Sequence, residues 1–223
     1  MPHPAQELLP SGYRVVHRSV ALAGREIGLF QVADPNALAD AVGPEDFGED
    51  ERFPYWAELW PSALALARFV LRRGLAPDTE VLELGCGLGL AGVAAALGGG
   101  RVLFTDFEPD ALCFARANHA LNLGAVGRTR LLDWRIPPAG LAAPLVLASD
   151  VLYERRFLGA FLATLGRVVR PGGTALVAEP GRRIAEGTVE GLEGRGFLRE
   201  LHLEEVEAHG RTHGVWIHEL RRR

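Results

Sequence analysis

Residues 81–90 restrict the fold more than any other part of the chain. The run Val-Leu-Glu-Leu is followed by Gly-Cys-Gly-Leu-Gly and then by a helical pattern. This order predicts a buried strand, a glycine turn and the start of a helix. Because glycine has no Cβ, the three alternate glycines let backbone N–H groups approach a bound molecule closely. The first helical turn adds free N–H groups and a partial positive charge, so the turn predicts a ligand site.

Strand and helix patterns alternate after this turn. Strands are predicted at 80–84, 101–105, 129–132, 144–149 and 174–178, and helices at 88–97, 109–122, 154–169 and 184–195. This alternation predicts right-handed crossovers in a parallel sheet. The last two predicted strands, 197–206 and 214–220, are joined by a short polar turn and must therefore pair antiparallel.

The N-terminal quarter shows weaker patterns. Residues 1–12 hold three prolines and predict a loose terminus, whereas residues 13–32 predict a β-hairpin. Short helices are predicted at 37–42 and 62–73. The acidic residues 43–52 predict either a surface loop or a lid over a site. The expected organisation is a loose terminus (1–12), a hairpin with a cap or lid segment (13–60) and a main domain (61–223).

Composition excludes several classes of function. The net charge of -4 gives no footprint for nucleic acid or an anionic membrane. No apolar run approaches the ~20 residues of a membrane-spanning helix, and the N-terminus does not resemble a secretory signal, so we expect a cytoplasmic protein. The two cysteines form no Cys-x-x-Cys or Cys/His cluster, so no metal site is predicted. The chain has no lysine, which excludes a lysine base or a Schiff base.

Acidic residues follow the predicted strands at the edge where α/β proteins bind ligands. Asp106 is placed to accept both hydroxyls of a ribose, although it could also cap a helix or a loop. Asp133 could accept from the amino group of an adenine while Trp134 lies beside the base, although a place for Trp134 in the core fits the pattern nearly as well. Further acids, Asp150 and Glu179, follow the next two strands.

The glycine turn suits either a dinucleotide pyrophosphate or the methionine part of S-adenosylmethionine, and the motif alone does not decide between them. Three features disfavour an NAD-dependent oxidoreductase: the antiparallel ending, the absence of a Tyr-x-x-x-Lys pair and Glu83 within the strand. A methyltransferase that acts on nucleic-acid bases would carry Asn/Asp-Pro-Pro-Tyr after the fourth strand, where this chain has Asp150-Val151-Leu152-Tyr153.

Residues 55–153 resemble a class I S-adenosylmethionine-dependent methyltransferase. The run from Glu83 to Gly89 matches the nucleotide-binding motif of that superfamily, and Asp106 matches its ribose-binding acid. Three segments are similar to the family 16 protein-lysine methyltransferases: Glu58-Leu59-Trp60-Pro61, Leu132-Asp133-Trp134 and Asp150-Val151-Leu152-Tyr153. Glu179-Pro180-Gly181-Arg182 is similar to the Asp-Pro-Gly-Arg of the electron-transfer-flavoprotein β-subunit lysine methyltransferases, with Glu in place of Asp.

The resemblance implies a Rossmann-like, doubly wound α/β fold. Its seven-stranded sheet would be mostly parallel with a C-terminal antiparallel strand, and an N-terminal β-hairpin would be appended to it. The implied activity is methyl transfer from S-adenosylmethionine to an amine, which leaves S-adenosylhomocysteine. A protein lysine is the favoured acceptor. A small-molecule N-methyltransferase and a non-catalytic S-adenosylmethionine-binding module remain the alternatives. We expect a monomer that binds neither nucleic acid nor membrane.

The resemblance also assigns roles within the site. Asp150 and Tyr153 would border the acceptor amine as catalytic residues, although Asp150 could also cap the helix 154–169. The predicted cofactor contacts are Trp60, Glu83, Gly85, Cys86, Gly87, Gly89, Asp106, Phe107, Asp133, Trp134 and Ser149. The predicted substrate contacts are Tyr55, Trp56, Glu58, Glu179 and Arg182. Methyl transfer is a direct displacement that depends on positioning, and aromatic faces suit the cation that develops on nitrogen.

Overall fold

The computed structural model describes residues 3–40, 53–136, 139–184 and 187–223, and it confirms the predicted α/β class. The strands are β1 (Val15–Leu22), β2 (Arg25–Val32), β3 (Glu80–Leu84), β4 (Arg101–Asp106), β5 (Arg128–Leu131), β6 (Ala143–Ser149), β7 (Val169–Glu179), β8 (Phe197–Ala208) and β9 (Arg211–Arg222). The α-helices are α1 (Pro35–Asp40), α2 (Pro61–Arg73), α3 (Leu90–Leu97), α4 (Pro109–Leu123) and α5 (Arg155–Val168). Short 3-10 helices occupy Pro4–Leu8, Tyr55–Ala57 and Glu190–Arg195.

The central sheet has seven strands in the order β5-β4-β3-β6-β7-β9-β8. Strands β3 to β7 run parallel, and β9 is antiparallel to both β7 and β8, as predicted. Helices α2, α3 and α4 pack on one face of the sheet, and α5 with the last 3-10 helix packs on the other. The central strands are therefore buried between two helical layers, and the ligand edge lies at the carboxyl ends of the parallel strands.

The predicted N-terminal hairpin is present as β1 and β2, which pair antiparallel. Two asparagines of α4, one helical turn apart, hold its inner edge. The fully buried Asn118 accepts from the Phe30 N–H (2.7 Å) and donates to the Phe30 carbonyl (3.1 Å) and the Leu88 carbonyl (2.9 Å). Asn122 makes the same pair of bonds to Gly28, at 2.9 and 2.8 Å. The side-chain amides thus satisfy a strand edge that would otherwise stay open.

Two sequence predictions differ from the structure. Residues 3–12 are not loose, because the 3-10 helix Pro4–Leu8 buries Ala5 in the cluster that contains Phe30 and Phe114. The helix predicted at 184–195 is replaced by the shorter Glu190–Arg195, since the glycines of this stretch disfavour a helix and Gly187 has φ +75°. The predicted helix 37–42 begins at Pro35, and its last two residues lie outside the described residues, as does the predicted lid 43–52. Within the described ranges, no helix has the length and apolarity to cross a membrane.

Substitution of Asn118 tests how the hairpin is attached. We expect Asn118→Leu to lower the free energy of unfolding by about 2–3 kcal/mol, because it leaves buried backbone groups at Phe30 and Leu88 without partners. Urea denaturation measures this loss, and Asn122→Leu, at a less buried position, is the matched control with a smaller expected loss. Equal losses for the two variants would contradict the assigned role of Asn118.

Candidate active site

One cleft opens at the carboxyl ends of the parallel strands, opposite the segment that precedes α2. Both predicted catalytic residues, all predicted cofactor residues except Glu83, and three predicted substrate residues line it. These are Asp150, Tyr153, Trp60, Gly85, Cys86, Gly87, Gly89, Asp106, Phe107, Asp133, Trp134, Ser149, Tyr55, Trp56 and Glu58. The sequence motifs, which are dispersed over about a hundred residues, therefore converge on one site.

The glycine turn is packed too closely to admit side chains. Gly85 has φ +63°, and a Cβ there would lie 2.9 Å from Val151 and 3.2 Å from Trp134. Gly89 caps α3 in the left-handed conformation, and its Cβ would lie 2.9 Å from Ala115. Burial raises the pKa of the Cys86 thiol, so this residue stays protonated and serves as a small apolar group. The turn thus presents backbone to the cleft, beside the N-terminus of α3.

Asp106 ends β4 next to this turn. Its Oδ2 accepts from the Gly87 N–H at 2.9 Å and its Oδ1 from the Glu108 N–H at 3.0 Å. Burial raises the pKa of this carboxyl group. The N–H of Phe107 is a third backbone donor to this carboxylate. A carboxylate has about four acceptor positions, so at least one stays available for a hydroxyl group.

The residues that follow β5 form one wall of the cleft. Arg135 pairs with Asp133, with Nη2–Oδ2 at 2.8 Å, and its guanidinium lies 5.4 Å from the centre of the Phe107 ring. The Trp134 ring lies against Phe161 at 5.2 Å, so Trp134 belongs both to the core and to the cleft lining. The core contact that one interpretation expected is therefore present, and the place of Trp134 beside an adenine stays a prediction. Arg135 was not predicted, although it directly follows the Asp133-Trp134 motif.

Aromatic rings form the opposite side of the cleft. The rings of Tyr55 and Tyr153 meet edge-on at 5.0 Å, and Phe53 lies 4.7 Å from Tyr55. The Trp60 indole N–H donates to the Tyr55 carbonyl at 2.9 Å, which fixes this segment. Burial, and then the nearby acid Glu154, raise the pKa of Tyr153, so it remains a phenol at neutral pH.

Two further predicted substrate residues of this segment have structural contacts as well. The Trp56 ring packs 5.2 Å from Phe114 on α4, and Glu58 lies 3.6 Å from the Nε2 of His209 in the turn between β8 and β9.

Asp150 follows β6 with its backbone in the left-handed region, at φ +56°. Its N–H donates to the Ala178 carbonyl at 2.9 Å. Its carboxylate accepts from the Ser62 hydroxyl at 3.0 Å and from Arg182 Nη2 at 2.7 Å. The alternative that Asp150 caps the following helix is wrong, because Glu154 holds the N-cap position of α5. Ser62 was not predicted, and its only signal is its place directly after the Trp-Pro motif.

Glu83 does not line the cleft, in contrast to its predicted cofactor contact. It is buried beneath the turn, where its Oε2 accepts from the Gly92 N–H of α3 at 3.0 Å. Burial raises the pKa of Glu83 to about 8. Glu83 alternates along β3 with Leu82 and Leu84, whose side chains face the layer of α5. The Glu83 side chain therefore points to the opposite layer, which contains α3.

Glu179 and Arg182 also lie outside the cleft lining, in contrast to their predicted substrate contacts. Glu179 Oε2 accepts from the N–H groups of Gly181 (2.7 Å) and Arg182 (2.9 Å), and its Oε1 lies 3.5 Å from His218 Nε2. Burial alone would raise the pKa of Glu179, but these hydrogen bonds lower it. Both residues therefore support the cleft from behind, since the Arg182 guanidinium is directed to Asp150.

Comparison with known proteins identifies the family. Residues 47–189 match the model of the lysine methyltransferase family, so the chain belongs to that family and the predicted resemblance is confirmed. The chain is 35% identical to the electron transfer flavoprotein beta subunit lysine methyltransferase of Xenopus laevis, over 58% of this chain and 53% of the relative. It is 33% identical to EEF1A lysine methyltransferase 3 of Mus musculus, over 72% of this chain and 69% of the relative. The chain thus spans only about half the length of the Xenopus relative.

Solved structures agree on the fold. The N-methyltransferase NodS of Bradyrhizobium japonicum, in complex with S-adenosyl-L-homocysteine, matches with a TM-score of 0.59 and 15% identity, over 82% of this chain and 97% of NodS. Magnesium protoporphyrin IX methyltransferase of Synechocystis, with bound SAM, matches with a TM-score of 0.57 and 16% identity, over 85% of this chain and 98% of that enzyme. At these identities, the likeness shows the shared fold alone.

The buried Glu83 predicts a specific pH dependence of stability. The unfolded chain releases this proton near the ordinary value of 4.5, whereas the folded protein retains it up to a pKa of about 8. The unfolded state then binds fewer protons, so Glu83 makes stability fall as pH rises between these values, by at most about 1.4 kcal/mol per pH unit. Glu83→Gln removes this pH dependence. The unfolding free energy of the variant, relative to that of the wild type, should therefore increase as the pH rises from 5 to 8. Parallel denaturation curves across that range would show that Glu83 is already ionised in the folded protein.

Proposed function

We propose that this protein transfers the methyl group of S-adenosylmethionine to the side-chain amine of a lysine in a protein substrate. Membership of the lysine methyltransferase family supports the reaction class. The observation that carries the proposal is the division of one cleft into two halves. Backbone and carboxylates suited to a nucleoside and an amino acid line one half, and Asp150 lies with aromatic rings in the other.

The residues of the first half fit S-adenosylmethionine. The glycine turn presents backbone and not side chains to the cleft, so the methionine part can lie beside the N-terminus of α3, where a carboxylate is stabilised. Asp106 keeps at least one acceptor position for a ribose hydroxyl. Asp133 and Trp134 would hold the adenine, and Trp60 the methionine end. When bound, the cofactor supplies a methyl group that is activated by its sulfonium.

The residues of the second half hold and orient the acceptor. Methyl transfer requires a neutral amine whose lone pair is in line with the S–CH₃ bond, so positioning provides much of the acceleration. Asp150 accepts one N–H of the amine and so directs its lone pair. The rings of Phe53, Tyr55 and Tyr153 exclude water and stabilise the positive charge that develops on nitrogen. No residue of the chain forms a covalent intermediate in this mechanism.

The proposed enzyme works as a cytoplasmic monomer without nucleic acid or a membrane. The support is the net charge of -4, which gives no footprint for nucleic acid or an anionic membrane. Size-exclusion chromatography with light scattering checks the monomer.

Cofactor binding is tested by Asp106→Ala. Loss of a charged hydrogen-bond acceptor should weaken the binding of S-adenosylmethionine about 10- to 100-fold, as measured by calorimetry. Glu205→Ala, which removes an exposed acid of β8, is the control and should bind as the wild type does. Binding of NAD instead of S-adenosylmethionine by the wild type would overturn the proposed function.

The acceptor class is tested with tritiated S-adenosylmethionine and a total protein extract. Recombinant β subunit of electron transfer flavoprotein, the substrate in the name of the Xenopus relative, serves as a defined acceptor in parallel. We expect protease-sensitive label that is recovered as methyl-lysine, and a loss of at least about tenfold with Asp150→Asn. Because the chain contains no lysine, methyl-lysine cannot arise from the enzyme itself. Label in methyl-arginine or only in small molecules would contradict a lysine acceptor.

A further inference from the structure

The Asp150 carboxylate accepts hydrogen bonds from two residues that lie behind the cleft, on separate elements. Arg182, in the turn after β7, donates to Oδ1 through Nη2 (2.7 Å) and Nε (3.2 Å). Ser62, in the first turn of α2, donates to Oδ2 at 3.0 Å. The Asp150 side chain is only 4% exposed and Ser62 is fully buried, whereas the Arg182 side chain is 36% exposed, so the carboxylate end of these bonds is shielded from water. Neither Ser62 nor Arg182 lines the cleft.

This arrangement restricts what Asp150 can offer to a substrate. A carboxylate has about four acceptor positions, two on each oxygen. Two donors from Arg182 fill Oδ1, and Ser62 takes one position on Oδ2. One position on Oδ2 therefore remains for a group in the cleft. Asp150 can accept a single N–H of an amine, which leaves the direction of the nitrogen lone pair defined.

The arrangement also cancels charge. An isolated carboxylate beside the acceptor would favour the ammonium form, which has no lone pair and cannot attack a methyl group. The guanidinium of Arg182 makes the pair with Asp150 neutral overall. Resting on the proposed lysine methylation, we propose that Arg182 and Ser62 are positioning residues, which fix the Asp150 carboxylate in one orientation, and that Arg182 prevents it from trapping the substrate as ammonium.

Arg182 is itself held in place. Glu179 accepts from its backbone N–H and from that of Gly181, and His218 lies against the other oxygen of Glu179. The turn Glu179-Pro180-Gly181-Arg182 is thus a support that aims one guanidinium at one carboxylate. The three motifs Trp-Pro-Ser, Asp-x-x-Tyr and Glu-Pro-Gly-Arg meet at Asp150.

The other ionisable residues of the cleft are the same in the wild type and in every variant. They are Tyr55 and Glu58 before α2, Cys86 in the glycine turn, Tyr153 and Glu154 after β6, and Asp106 and Glu108 after β4. Asp133 and Arg135, at the end of β5, pair with each other. A change confined to Arg182 or Asp150 therefore alters the local charge by one unit against an unchanged background.

The test is the pH dependence of kcat on the protein that labels most strongly in the extract, at saturating S-adenosylmethionine. The rising limb of this profile reports deprotonation of the bound amine. Arg182→Gln leaves the carboxylate uncompensated and should move this limb to higher pH by about 0.5–1 unit, whereas Asp150→Asn leaves the guanidinium and should move it to lower pH. Arg182→Lys should keep the wild-type limb, and Ser62→Ala should lower kcat about tenfold without moving it.

Cofactor affinity and melting temperature are measured for every variant. If the wild type is active but the rising limb does not move in Arg182→Gln or Asp150→Asn, the inference is overturned and Arg182 has a structural role. The proposed function would then still stand. A wild type that methylates no protein would overturn both. If Arg182→Gln fails to fold, the direction of the limb in Asp150→Asn decides alone.

Discussion

The site depends on a single topological constraint, which is the position of β3 within the sheet. Strands β4 and β5 follow on one side of β3, and β6 and β7 lie on the other. The helices that leave β3 and β6 therefore diverge, and a crevice opens at the carboxyl ends of these two neighbouring strands. The glycine turn after β3 and Asp150 after β6 face this crevice from adjacent strands. The two halves of the cleft are thus a consequence of strand order.

Within this frame, acids at the strand ends shape the turns that follow them. Asp106 accepts backbone N–H groups of residues 87 and 108, Asp133 accepts one from residue 135, and Glu179 accepts two from residues 181 and 182. Such bonds are typical of Asp-stabilised turns and satisfy backbone donors that the strands leave free. The repeated acids of the sequence therefore have two roles. Asp106 both shapes its turn and lines the cleft, whereas Glu179 shapes its turn without lining the cleft.

The sequence predicted the parts of this structure that arise from local pattern. The strands, the glycine turn and the cleft residues next to strand ends follow from periodicity and motif position, since all parallel strands end at one edge. Contacts between distant elements were not predictable in this way. Ser62 and Arg182 meet at Asp150 although 120 positions separate them, and Glu83 lies in a strand that is buried on both faces, so alternation gave no sign of its direction. The prediction of a helix at 184–195 was wrong because it relied on the helical spacing of the apolar residues. The glycines of this stretch, which disfavour a helix, decide its structure.

The choice of arginine at position 182 agrees with both the geometry and the chemistry of the site. A guanidinium donates from Nε and Nη2 to the same carboxylate oxygen, which an ammonium on a flexible stem cannot do with the same direction. A guanidinium stays charged and is a poor nucleophile. In a chain whose non-histidine cations are all arginines, the groups that surround a methyl donor can neutralise charge without becoming its target.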